Sequence, residues 1–289
     1  MKISIIGSNS NLARNFVKYI ENENIDIELY DIQNSSLDGK SNYMQIDFSD
    51  DNSIDLINYN SDLIYIFFGL IGTSKGFRAY NEFITVNEIY LAKILNHLKK
   101  HESNSKIVYI SSRLVYSDTP ALHSETSLLD GKSIYAINKI ASENLIRLYS
   151  NVFGLRYSIF RVGIPFGSIE NLNLDFGVVS MLEKQAIDGK INMYWNGIGT
   201  RTFSHIKDIC YILYNAPLLS KSTNEIYNIG GCNHTLLEVG QYFAKKYNAK
   251  IVNIDVNGVD EKIECVNGAF NFTKIQNLLP HCYVDLVNE

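Results

Sequence analysis

No stretch of this 289-residue chain carries the roughly 18 uninterrupted apolar residues that a membrane-spanning helix needs. Met1-Lys-Ile-Ser-Ile-Ile-Gly7 is too short to serve as a secretory signal. The four cysteines, Cys210, Cys232, Cys265 and Cys282, are scattered with no C-x-x-C spacing, so neither a disulfide framework nor a metal centre is expected. Basic runs that could follow a phosphate backbone are missing as well. The 26 basic and 31 acidic side chains are interspersed, and nucleic acid is not an expected partner. These absences leave a soluble, cytoplasmic protein with reduced thiols and no membrane partner as the expectation. Its 46% hydrophobic and 20% charged residues are ordinary for a chain able to bury a large core.

What the chain does contain is an alternation of short β-branched runs and longer helical periods. Strands are expected at Lys2–Ile6, Ile25–Tyr30, Tyr43–Ile46, Asp62–Phe68, Lys106–Ile110 and Leu155–Val162. Helices are expected after Gly7, over Asn81–Lys100, and from Ser133 to about Tyr149. This order predicts an α/β fold of the Rossmann type, a doubly wound parallel sheet whose ligands bind at the carboxyl ends of strands. Gly7, Asp31, Gly69, Ser112 and Gly163 all stand at such ends. Residues 1–163 would form the dinucleotide-binding domain, with a βα step returning near 201–216, and 164–289 a smaller α/β substrate lobe. The turn Gly7-Ser-Asn-Ser-Asn-Leu-Ala13 keeps one glycine of a three-glycine phosphate loop, with Ser10 and Ala13 at the other two places. Asp31, about 20 residues further on, could accept hydrogen bonds from both ribose hydroxyls of NAD and would repel the 2′-phosphate of NADP.

Tyr135 and Lys139 stand four residues apart near the start of the helix from Ser133, on one face with Cβ atoms roughly 5–6 Å apart. An ammonium so close favours the phenolate, so Tyr135 is expected to fall below its usual pKa of about 10 and to exchange a proton near neutral pH. Spacing alone decides nothing, because 19 tyrosines and 19 lysines yield about one such pair by chance, and Tyr242–Lys246 is a second. The first pair is singled out by the apolar run Lys106-Ile-Val-Tyr-Ile-Ser-Ser112 before it and the strand, turn and helix at the N-terminus. The second reads as the face of an ordinary helix, Leu236 to Tyr247.

With Gly7–Ala13, Asp31, Ser112, Tyr135 and Lys139 in this order, the chain resembles the extended short-chain dehydrogenase/reductases. More narrowly, it resembles the NAD-dependent nucleotide-sugar epimerase/dehydratase family, over nearly its whole length. The resemblance implies that NAD is held by Gly7, Ser10, Asn11, Leu12, Asp31, Asp47, Phe48, Phe67, Gly69, Asn87, Tyr135, Lys139 and Gly163. It implies Ser112, Tyr135 and Lys139 as the catalytic residues. A nucleotide-sugar substrate would meet Ser112, Tyr135 and Arg201, the last at its diphosphate. Tyr227-Asn-Ile-Gly-Gly231 is a further family landmark. The chain departs from the family at Ser10, at Ile66 for a histidine, at Ile164 for an asparagine and at Gly199 for a glutamine. Family dehydratases place Asp-Glu after the catalytic serine or threonine, where this chain has Arg113 and Leu114. The expected activity is therefore an NAD-dependent 4-epimerase acting through a transient 4-keto sugar. A 4-keto-6-deoxy-sugar reductase and a non-catalytic NAD-binding sensor are the alternatives. A homodimer through the helices Asn81–Lys100 and Ser133–Tyr149 is implied too, with Tyr90, Ile140 and Leu148 at its interface.

Overall fold

Strands that are apolar on both faces must be covered on both sides, and the computed structural model, which describes residues 1–169, 172, 177–255, 258–263 and 266–287, is built on such a sheet. The strands are β1 (Lys2–Ile6), β2 (Asp26–Asp31), β3 (Tyr43–Gln45), β4 (Leu63–Ile66), β5 (Lys106–Ser112), β6 (Arg156–Val162), β7 (Ile164–Phe166), β8 (Lys190–Tyr194), β9 (Thr200–His205), β10 (Glu225–Asn228), β11 (Cys232–Thr235) and β12 (Lys250–Ile254). Seven of them form one parallel sheet in the order β10-β6-β5-β4-β1-β2-β3. Its central β4, Leu-Ile-Tyr-Ile, is buried at every position.

The helices are α1 (Asn11–Ile20), α2 (Asp51–Ile54), α3 (Lys75–Arg78), α4 (Tyr80–Ile84), α5 (Tyr90–Lys100), α6 (Ile134–Phe153), α7 (Gly177–Ile187), α8 (Ile206–Asn215), α9 (Leu236–Tyr247), α10 (Val259–Ile263) and α11 (Thr273–Leu278). On one face of the sheet Phe16 of α1 and Ile209 and Leu213 of α8 pack with Ile3, Ile5 and Tyr65. On the other, Leu91, Ile94 and Leu98 of α5 and Ile146 of α6 pack with Ile6, Ile64 and Tyr109. A smaller lobe has its own core, in which Phe203, Met193, Val239, Phe243 and Leu286 meet.

Several elements differ from the sequence-based expectation. The helix expected over Asn81–Lys100 is interrupted by a π-helical turn, Thr85–Ile89, between α4 and α5. The helix expected to stop near Tyr149 continues to Phe153, where Gly154 (φ 75°) closes it in the left-handed conformation. The step expected to return near 201–216 divides: α8 packs against α1, but β9 joins a three-stranded sheet β11-β9-β7. The strand that rejoins the large sheet is β10, paired with β6. The sequence pattern also predicts a helix over Leu174–Asp188 and a strand over Lys250–Val256; residues 174–176 and Val256 lie outside the described residues. No helix among the described residues is long and apolar enough to cross a membrane.

Candidate active site

Two adjoining cavities, of about 310 and 660 Å³, open along the carboxyl ends of β1, β2, β4, β5 and β6 and share Ser10, Phe68 and Gly69. At the first, Gly7 turns with φ 82°, and a Cβ there would stand 2.4 Å from Phe68 N, so no other residue fits. Ser10 is the N-cap of α1, and its hydroxyl accepts from Ala13 N at 3.4 Å. The serine at the second glycine place thus turns back onto the helix, leaving the N–H groups of Asn11 and Leu12 at the helix N-terminus, where phosphate oxygens bind. Asp31 ends β2 buried, its two oxygens accepting from Asn9 N (2.9 Å) and Gln33 N (3.3 Å), and it lines the cavity.

Phe48 also lines this cavity and packs on Phe68 and Tyr90, with ring centroids 5.3 and 5.0 Å apart. Its neighbour Asp47 does not line it: that carboxylate is exposed and accepts from Ser49 N and Oγ. Asn87 sits inside the π-helical turn and grips the backbone of Leu70 twice, its Oδ1 accepting from Leu70 N (2.8 Å) and its Nδ2 donating to Leu70 O (3.1 Å). It shapes the glycine loop after β4 rather than lining either cavity. A π-turn costs helix regularity, and such turns often mark functional sites.

The larger cavity gathers Ser112, Tyr135 and Lys139 together with Asn11, Leu12, Phe67, Gly69 and Gly163. Period-2 alternation along β5 is what separates the roles. Ser112 faces the cavity, while Tyr109 points into the layer between β5 and α6, where it meets Lys139. Ser133 caps α6 by accepting from Ala136 N at 3.2 Å, which starts the helix at Ile134, one residue before Tyr135.

The expected lowering of the Tyr135 pKa by Lys139 is not what the structure shows. Burial pushes the phenol up to about 12, with the Ser112 hydroxyl and the Arg113 charge pulling the other way. Lys139 lies 5.9 Å from the centre of the Tyr135 ring and is occupied elsewhere. It donates to Tyr109 Oη (3.0 Å) and to Ile110 O (2.8 Å). Burial also pushes its ammonium down to about 8, opposed by the Glu143 carboxylate one turn further along α6. Desolvation outweighs the opposing attractions on each group, those of Ser112 and Arg113 on Tyr135 and that of Glu143 on Lys139.

Tyr109 and Glu143 were not foreseen from sequence. Glu143 is buried, takes a two-pronged ion pair from Arg161 (2.9 and 2.6 Å), and holds Ser111 as well. A signal for it existed, since Glu143 follows Lys139 at the same four-residue interval. Arg201 is buried in β9, opposite His234 of β11 and bridged to Gly268, and it lines neither cavity.

A family model, the NAD dependent epimerase/dehydratase family, matches residues 3–230. The chain belongs to this family. The family's cofactor is NAD, and the cleft fits it: a glycine-only turn, a capped helix N-terminus, a buried carboxylate at the β2 end and a buried lysine follow one another along it. Among family relatives, a CDP-paratose 2-epimerase of Salmonella typhi is 24% identical over 59% of this chain and 59% of its own. A putative UDP-glucose 4-epimerase of Methanocaldococcus jannaschii is 28% identical over 50% of this chain and 47% of its own. The chain thus spans about half the length of the curated relatives it matches. In fold it is similar to a UDP-glucuronic acid 4-epimerase of Bacillus cereus solved with UDP-glucuronic acid and NAD, with a TM-score of 0.85 at 20% identity, covering 100% of this chain and 96% of that one.

Proposed function

We propose that the chain is an NAD-dependent nucleotide-sugar 4-epimerase acting through a 4-keto sugar bound in the 660 Å³ cavity. The observation that carries this reading is that Ser112, Tyr135 and Lys139 share that cavity while Arg113 and Leu114, not an acid pair, follow Ser112. Elimination of water across C5–C6 requires an acid and a base beyond Tyr135, and neither of those two side chains is either. Epimerisation needs one proton-transfer group, which Tyr135 supplies.

Gly7, Ser10, Asn11 and Leu12 would hold the pyrophosphate of NAD, Asp31 a ribose, Phe48 the adenine and Lys139 the nicotinamide ribose. Gly69 and Gly163 would let the ring approach the strand ends, Phe67 would complete the wall, and Asn87 would act from behind it by holding the loop at Leu70, while the exposed Asp47 is left outside the cofactor's reach. Bound NAD supplies a reversible hydride acceptor for C4 and a positive ring that favours the phenolate. Tyr135 would take the proton of the 4-hydroxyl and return it to the same oxygen after the sugar presents its other face. Ser112, already a hydrogen-bond partner of the phenol, would hold that oxygen in line. Arg201, expected at the diphosphate, is buried in β9 away from both cavities and has no part in this reading.

The test is to incubate the purified protein with UDP-, dTDP-, GDP- and CDP-sugars and follow products by mass and NMR. Inversion at C4 with no mass change and no net use of added NADH is expected. A product lighter by one water would sink the reading, and so would steady consumption of a reduced dinucleotide. The reductase alternative needs such consumption, and Asp31 at the ribose end disfavours NADPH.

We further infer a homodimer through α6. Ile137, Leu148 and Val152 are exposed and recur on one face of that helix. Tyr90 and Ile140, expected beside Leu148, are instead engaged internally, on Phe48 and on the Val115–Tyr116–Phe270 cluster. Light scattering should give a dimer that Leu148→Glu splits.

A further inference from the structure

Outside the cleft, three side chains with metal-ligand chemistry meet in the smaller lobe. Cys232 and His234 lie two residues apart on β11 and therefore on one face of it, and Asp285 comes from the C-terminal segment. Their ligand atoms all lie within 4.8 Å of one another, with His234 Nε2 2.7 Å from Asp285 Oδ1. All three are partly buried, and none lines either cavity of the cleft. We propose that Cys232, His234 and Asp285 form a site for a zinc-class divalent cation that fastens the C-terminal segment to β11, with water as the fourth ligand.

The donor set is the first argument. One thiolate, one imidazole and one carboxylate suit a borderline-soft tetrahedral ion, whereas magnesium or calcium would call for oxygens throughout. A tetrahedron with ordinary zinc bond lengths needs ligand atoms roughly 3.3–3.6 Å apart. The His234–Asp285 pair must open by less than about 1 Å to admit the ion. The surrounding charge is the second argument. The Asp285 carboxylate lies within 4.8 Å of the Cys232 thiol, and a second carboxylate, Asp208, is fixed close by through Val284 N and His281. Carboxylates that oppose a thiolate welcome a dication. On metal binding, the thiol proton leaves to solvent and the sulfur coordinates in its place.

Supports behind the ligands are in place too. Asp208 accepts from Val284 N (2.9 Å) and pairs with His281 (2.7 Å), and Asp285 Oδ1 accepts from Val287 N (3.0 Å). The ion would lock a segment whose Leu286 is part of the lobe's core. A second cluster, Asp55, His97 and His101, has similar geometry. There Lys100 Nζ, 2.6 Å from the carboxylate, already supplies the cation, so that cluster is an ion-pair network.

The full chain, stripped with chelator and titrated with zinc chloride by calorimetry, is expected to take up one ion per chain. Cobalt(II) in its place should show thiolate-to-metal charge-transfer absorption. Excess zinc should raise the unfolding temperature, by on the order of 5 °C. Cys232→Ser, which is nearly isosteric, and Asp285→Asn should each weaken uptake at least tenfold, and His101→Ala should leave it unchanged. The proposal is overturned by no uptake, by cobalt spectra without a thiolate band, or by uptake that survives Cys232→Ser but not His101→Ala. The cobalt spectrum of the unaltered protein decides the matter even where a variant folds poorly.

Discussion

In both Tyr-x-x-x-Lys pairs of this chain, Tyr135–Lys139 and Tyr242–Lys246, the ammonium stands 5.9 Å from the centre of the tyrosine ring. Helix geometry sets that distance in each, yet the surroundings oppose one another. Tyr135 and Lys139 are buried at 9% and 5% exposure beneath the strand ends, and Lys139 is pushed down to about 8. Lys246 projects from α9 with almost half its side chain in solvent. Its pKa is raised: desolvation, the largest single influence, pulls it down, but the contacts with Tyr247 and Glu183 together outweigh it. The difference teaches that four-residue spacing supplies an encounter, while burial decides whether the encounter has chemical consequences.

The comparison breaks most decisively at the hydroxyl. Tyr135→Phe should lower turnover by roughly 10²–10⁴-fold with NAD affinity nearly intact, the usual loss for a positioned proton-transfer group. Tyr242→Phe should stay within about twofold in the same assay, and the reverse result would assign the site to the wrong helix. Next come the carboxylates beside each lysine. Glu143→Ala strands Arg161 in the core and should cost about 3–5 kcal/mol in denaturant unfolding. Glu183→Ala, removing the exposed partner of Lys246, should cost less than about 1 kcal/mol.

A smaller effect sharpens the contrast through pH. Burial depresses the Lys139 pKa, so its charge is present below pH 8 and is lost as pH rises through about 8. NAD affinity, which gains from that charge, should fall by up to about fivefold between pH 8 and 9. Calorimetry with Lys139→Met should find weak binding that no longer varies over this range. Smallest of all, Lys246→Met should leave both NAD affinity and its pH profile unchanged, with stability altered by no more than about 1 kcal/mol.

Much of the cleft could be read before any coordinates. The strand ends carrying Gly7, Asp31, Gly69, Ser112 and Gly163 were found because parallel sheets write themselves as near-continuous apolar runs with a small or polar residue at the exit. Ser10 departs from the glycine of a phosphate loop, yet it is the helix cap, a role that serine fills as readily as glycine fills a turn. The partners of Lys139 were not legible in the same way. Tyr109 reaches it from β5, 30 residues away in sequence, and no local pattern announces that meeting. Asn87 entered through the family resemblance as a cofactor residue, but its double hold on Leu70 depends on a π-turn that periodicity does not reveal.

By itself, the sequence determined the order of strands and helices, the faces they bury and the one-turn approach of lysine to tyrosine, because these follow from local sterics and the periods of helix and strand. Tertiary structure decided the rest. It brought β10 back to the edge of the large sheet, kept β9 out of it, and set Cys232 and His234 beside a carboxylate from the chain's last residues. It also reversed the expected shift of Tyr135. The free energy of a charge depends on how much water and how many dipoles surround it, and those are fixed only when distant segments close over the site.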